Sequence, residues 1–240
     1  YVNIGNFSGT PGTTPSSFLD VANAKSILDQ IGVPDDDETC AFFDPAASVA
    51  LANGLKAVFP QKIATKAIER AEIGMYGGAN LYKNNSQALH TVGVNTGTPL
   101  INGASQEVTY ATATASKGWS QSLIPDGWTN SQTGILKAGD VFTIADVYSV
   151  NRRTRVSTGD LQTFTVLADA NSGASTGPAT FTISPPIIVS GSFQTCDAGP
   201  ADGAAIVVKT GTGAAQYRQN LMFHKNAITV GMAPLDSPTA

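Results

Sequence analysis

The sequence predicts an α+β fold in which a helix-and-strand region is split around an inserted β-rich domain. Three observations predict it. Residues 134–188 string three short strand patterns together: Phe142 and Ile144 alternate with Val141 and Thr143, Phe164 and Val166 with Thr163 and Thr165, and Phe181 and Ile183 with Thr180 and Thr182. That is the period of a half-buried strand, in residue types that pack well on a pleated surface, and it predicts the centre of a small β-barrel or sandwich. Helical spacing is confined to residues before Tyr82, and a last apolar run near residues 221–230 is placed to return to the first region's sheet. The division read from these shifts is 1–82, 83–215 and 216–240.

Residues 1–15 are rich in Gly, Pro, Thr and Ser and read as loop. Ser17 with Asp20 fits a capping box, Phe18, Val21, Ala22, Leu28 and Ile31 fall near helical spacing, and Gly32 with Pro34 stops the run. Asp35, Asp36, Asp37 and Glu38 precede a short apolar strand, Thr39–Phe43. Carboxylates suit calcium or magnesium, but no ion-loop spacing is present, so the acidic run reads as a solvated turn. Asp44 followed by Pro45 is a second helix start, carrying Val49, Leu51, Ala52, Leu55 and Val58. Pro60 opens a third helix with Ile63, Ala64, Ala67, Ile68 and Ala71 on one face, ended by Gly74, Gly77 and Gly78. Residues 83–103 are polar and rich in Gly, Asn and Thr and read as a linker, residues 107–112 as a strand, and residues 211–215 as a second linker.

The chain has 240 residues, of which 42% are hydrophobic, enough to bury a core. Only 13% are charged, about half the usual share, which leaves a surface suited to cover by a partner. A net charge of -4 supplies no basic field for sequence-specific nucleic-acid binding and no polybasic membrane patch. No apolar run approaches the roughly twenty residues that span a bilayer. The two cysteines, Cys40 and Cys196, match no metal spacing and are expected as free thiols in a reducing compartment. Tyr1 rather than Met opens the chain, which reads as an internal piece of a longer protein.

Catalytic constellations are not found. No serine lies in a G-x-S-x-G elbow, and neither His90 nor His224 has a nucleophile placed near it in sequence. His224 is a candidate general base, with a structural hydrogen-bonding role at a strand end as the plainer reading. GTGAA from Gly211 lacks the Gly-Lys-Ser/Thr ending of a phosphate loop. Asp126, Asp140 and Asp146 sit at turns where Asp is expected, which weakens a glycosidase pair. Asn6-Phe7-Ser8 and Asn84-Asn85-Ser86 match glycosylation acceptors, a pattern that chance produces often. No enzyme, cofactor or metal site is therefore expected.

The most unusual polar feature is the loop over residues 151–160, which places Arg152, Arg153 and Arg155 between two strands. Guanidinium forks there are candidates for bidentate contacts to carboxylates on a neighbouring molecule; the plainer reading is a solvated hairpin tip. A different class of function, a carbohydrate or host-surface binding module, would use Trp119, Trp128 and Tyr110 to stack on sugar rings.

The run LKAGDVFTIADVYSVNRRTRVSTGDLQTFTV over residues 136–166 resembles the inserted domain of the coat proteins of P22-type short-tailed phages. CAFFDPAASVALANGLK (40–56), ALHTVG (88–93) and RQNLMFHKNAITV (218–230) agree with it in the same order. The resemblance implies a major capsid protein of the Hong Kong phage capsid fold, with a split apical domain and an inserted six-stranded-type β-barrel. Residues 44–59 and 60–71 would be apical helices, residues 106–209 would contain the insertion, and residues 221–230 would rejoin the apical domain. It implies a structural, self-assembling role in the icosahedral shell of a tailed double-stranded DNA phage, with localisation in the virion after assembly in the host cytoplasm. The implied partners are other copies of the chain, a scaffolding protein and a portal. The arm, extended loop and spine helix of such proteins have no counterpart here, which again reads as a fragment.

Overall fold

The computed structural model describes residues 2–4, 8–54, 74–115 and 119–229. It mixes helices and strands, with most of the regular structure in sheets. The third expected helix, with Leu55, Val58 and residues 60–71, lies outside the described residues, as do Asn6 and Val230.

Five strands make the first sheet: β1 (Val2–Asn3), β2 (Thr39–Phe43), β3 (Met75–Tyr76), β4 (Ala79–Lys83) and β14 (Leu221–His224). Their order is β1-β14-β2-β4-β3. The chain's late strand β14 runs antiparallel to β2, with Leu221 opposite Phe42 and Phe223 opposite Cys40, while β4 runs parallel to β2 on the other side. Helix α1 (Phe18–Gln30) packs Val21, Ala24 and Leu28 against Ala41, Phe43 and Met222 in one buried cluster. Ser17 Oγ accepts from Leu19 N at 3.1 Å, which satisfies one free amide of the first turn. Asp44 does the same for α2 (Pro45–Gly54), its Oδ1 accepting from Ala47 N at 3.1 Å. Two expectations shift here. Ala22, read at helical spacing with Val21 and Leu28, is only half-buried while Ala24 and Lys25 are buried, and Val49, read among the apolar residues of α2, is 61% exposed. Gly77 and Gly78 form the tight turn between β3 and β4, both at positive φ (59° and 77°), a conformation that glycine adopts without steric cost; the helix they were expected to end lies outside the described residues.

The second sheet holds β7 (Gln121–Leu123), β9 (Val141–Val150), β10 (Ser157–Val166), β11 (Phe181–Ser184) and β12 (Ile206–Val208), in the order β12-β9-β10-β11-β7. The three expected strand patterns are its central members. Phe142 faces Phe164 across the β9–β10 pair, their ring centroids 5.7 Å apart, and Phe181 meets Phe142 edge-on at 5.8 Å. These rings, with Ile144, Val166 and Ile183, form the larger core. Thr143, expected on the outer face, is only 2% exposed, although it belongs to the wall of a cleft between that face of β9 and the end of α1. Burial on both faces is why the strict alternation fails there.

The stretches between the two sheets depart most from expectation. Within the expected linker, β5 (Leu89–Thr91) pairs with the returning β13 (Gln216–Arg218), and β6 (Gly97–Ile101) pairs with β8 (Pro125–Trp128). Residues 107–112, expected as a strand, contain the start of α3 (Tyr110–Ala115). Thr109 caps it, its Oγ1 accepting from Thr112 N at 3.3 Å, and local capping overrides the β-branched alternation of the sequence. After β14 the chain enters a 3-10 turn, Lys225–Ala227, where a continuous strand was expected.

Candidate contact surface on the arginine hairpin

The hairpin between β9 and β10 is built on Asn151. Its backbone N donates to Val156 O at 3.0 Å and its carbonyl accepts from Arg155 N at 2.7 Å, closing the loop. Its side-chain Oδ1 accepts from Arg153 N at 2.9 Å and Thr154 N at 3.2 Å, and its Nδ2 donates to Gln30 O at 2.7 Å, so the tip is tied to the end of α1. An Asn in this role favours a turn over continued pairing. Arg155 sits at φ 59°, a left-handed conformation that turns the chain sharply. Arg152, Arg153 and Arg155 are all exposed, and no carboxylate of the described residues lies within ion-pair distance of them. The structure therefore places the three arginines on one exposed hairpin, with Arg152 also lining the cleft beside it.

The other candidate groups separate clearly. His224 Nε2 lies 2.9 Å from Asp36 Oδ1, while its Nδ1 accepts from Asn226 N at 3.3 Å. An accepting Nδ1 makes Nε2 the donor, and both ring nitrogens are engaged within the fold, in keeping with a structural hydrogen-bonding role. The acidic run is correspondingly more than a solvated turn. Asp35 receives Lys25, Asp36 receives His224, and Glu38 pairs with Lys225. Donor atoms of Asp36, Glu38 and His224 lie within 4.8 Å of one another, but each is occupied by these partners. Lys25 is pulled down by burial and pushed up more strongly by its hydrogen bonds to Asp29 and Asp35, leaving its ammonium above the ordinary value.

Asp140, which the sequence reads as an ordinary turn residue, is fully buried and accepts from Gly93 N (3.0 Å) and Lys137 N (2.7 Å) and pairs with His90 Nε2 (2.8 Å). The sequence signal was there in the turn motif Lys137 to Asp140, but the partner lies some fifty positions away. Trp128 is 2% exposed and belongs to the larger core, so it cannot stack on a sugar. Tyr110 stacks on Phe193 at 4.0 Å and Trp119 leans against both, so these rings face one another first. Cys40 and Cys196 are free, and burial pushes the Cys196 thiol up to about 12.

Comparison with known proteins places these features in a family. A sequence model described as "P22 coat protein - gene protein 5" matches residues 2–240. The major capsid protein of Acyrthosiphon pisum secondary endosymbiont phage 1 is 30% identical over 239 residues, covering 95% of this chain and 55% of the relative. This chain thus spans about half the length of that relative. Among solved structures, the CUS-3 coat protein I-domain is similar at 30% identity, covering 48% of this chain and 96% of that one, with a TM-score of 0.32. The match over nearly every residue decides the matter: this chain belongs to the P22 coat protein family.

Proposed function

We propose that this chain is part of a major capsid protein that assembles the icosahedral shell of a tailed double-stranded DNA phage, and that it works by burying surface against other copies of itself. Family membership over residues 2–240 is the observation that carries this reading. A shell needs repeated complementary surfaces and no reaction centre, which suits a chain with 13% charged residues and no nucleophile–base pair among its candidates. The protein is read as structural rather than enzymatic, resident in the virion, assembled in the host cytoplasm, with a scaffolding protein and a portal as further partners.

The division into 1–82, 83–215 and 216–240 is part of the same proposal. Its support is the placement of β14 beside β2, with β5 and β13 forming the outgoing and returning legs of a neck. Residues 83–215 leave and re-enter the first sheet at neighbouring points. An inserted barrel is supported by links that continue the second sheet around: Ile101 N donates to Ala204 O at 2.9 Å next to β12, and Asn102 N donates to Ile124 O at 3.1 Å next to β7 and β8. Through β6 the two ends of the sheet approach each other, as barrel closure requires.

Arg152, Arg153 and Arg155 are proposed to reach carboxylates of a neighbouring copy. The test is expression of the full-length protein with and without a scaffolding protein, with shells scored by electron microscopy. Closed shells support the reading, and soluble monomers under every condition overturn it.

A further inference from the structure

Between α1 and the outer face of the second sheet runs a cleft of two lobes, about 410 and 360 Å³ in volume. Both lobes share Ile31, Arg152, Gln162, Thr163 and Lys209 in their walls. Two cations therefore stand where the lobes meet, and neither has an ion-pair partner among the described residues. The first lobe also carries Asp160, while the second carries no acidic side chain. An anion is favoured at the junction and in the second lobe.

A second observation points to a ligand. Of the buried side-chain polar atoms left without a hydrogen bond among the described residues, one belongs to a wall residue of each lobe: Thr143 Oγ1 in the first and Asn3 Oδ1 in the second. Thr143 is 2% exposed, and an unpaired buried hydroxyl is costly unless something arrives to pair with it. Asn3 Oδ1 can only accept, so its partner must bring a donor. Val141, Leu167 and Pro185 add apolar wall to the second lobe.

We propose that this cleft binds an acidic peptide segment of a partner protein, seating an Asp or Glu carboxylate between Arg152 and Lys209. The peptide's backbone N–H groups would serve Asn3 Oδ1, its carbonyls or N–H groups would serve Thr143 Oγ1, and its methylene groups would cover the apolar wall. Inorganic phosphate matches only the cations, because at neutral pH it has few donors to offer. The site spans the seam between the two sheets, so occupancy joins α1 to β9 and β10. The proposal does not depend on shell assembly, since binding is read on the chain itself.

The probe is a short synthetic peptide containing Asp and Glu, titrated into the isotopically labelled 240-residue chain, with its Asn/Gln isostere and inorganic phosphate as controls. Amide resonances of Thr143, Gln162, Thr163 and Lys209 are expected to move with the acidic peptide and to stay still with the isostere. Lys209→Met and Arg152→Met are each expected to weaken binding about tenfold, the loss of one charge-assisted contact. Thr143→Val keeps the shape, is expected to leave the free protein at least as stable, and weakens binding, which separates a ligand contact from a folding defect. Self-association of the chain that Lys209→Met abolishes would make a second copy the source of the acid, and peptide binding without self-association would make it a different protein. Equal binding of the isostere, equal shifts with phosphate, or unchanged affinity in the double cation variant would each overturn the proposal.

Discussion

His90 Nε2 lies 2.8 Å from Asp140 Oδ1, which joins β5 to the turn that opens β9, one of the two ten-residue strands of the second sheet. Asp140 is fully buried, and its Oδ2 also accepts from Gly93 N and Lys137 N. A buried carboxylate survives only when its oxygens are satisfied, and here two donors come from β5 and the residues just after it and one from the carboxylate's own turn. Gly93 makes the approach possible: a side chain there would press on the backbone of Ile135 and Leu136 at 2.5 Å. Asp140→Ala is expected to lower stability by about 3 to 5 kcal/mol, because it leaves the buried Gly93 N–H and the half-buried His90 and Lys137 donors without their acceptor. Urea denaturation measures this, and a loss below about 1 kcal/mol would mean the carboxylate is dispensable.

Phe164→Ala tests the larger core. Phe164 is fully buried opposite Phe142, and its removal is expected to cost about 3 to 5 kcal/mol through lost burial and the cavity left behind. A near-neutral result in thermal or urea unfolding would contradict the packing of these rings.

The strands at the centre of each sheet were legible because one or both faces are buried, which imposes period-two residues on the sequence. Phe142, Phe164, Phe181 and the return strand at Leu221 are of this kind. Short strands such as Leu89–Thr91 and Gly97–Ile101 were not, because apart from Ile101 they bury little side chain and are held by backbone bonds to partners more than twenty positions away. The arginine tip was legible from local spacing alone. Asp140 was not, since a turn Asp looks the same whether its oxygens face solvent or two distant donors, His90 and Gly93. The cleft lies between the end of α1 and the second sheet, and neither element alone marks it.

Replacing Arg152, Arg153 and Arg155 together by Ala is expected to leave the unfolding temperature of the chain nearly unchanged, because exposed charges without partners contribute little to folding. Assembly of the full-length protein is expected to weaken, seen as a higher critical concentration in light scattering. Assembly at the normal concentration would remove the hairpin from the interface.

Thiol labelling distinguishes the two cysteines. Burial is the main reason the Cys196 thiol stands near 12, with a hydrogen bond from Thr195 pulling the other way and Asp197 adding to the rise. At neutral pH its reactive thiolate is scarce and its sulfur inaccessible, so a disulfide reagent is expected to modify Cys40, which is half-buried in β2, first. Cys196 should react only at the rate of opening of the second sheet, and Phe164→Ala should accelerate it while leaving Cys40 largely unaffected. The sign with pH follows from the raised value. The folded state holds the thiol protonated above the ordinary 9.0, so this contribution to stability is intact below that value and declines as pH rises from 9.0 towards 12. Cys196→Ala should flatten that alkaline decline, and an unchanged slope would mean that other groups titrate there.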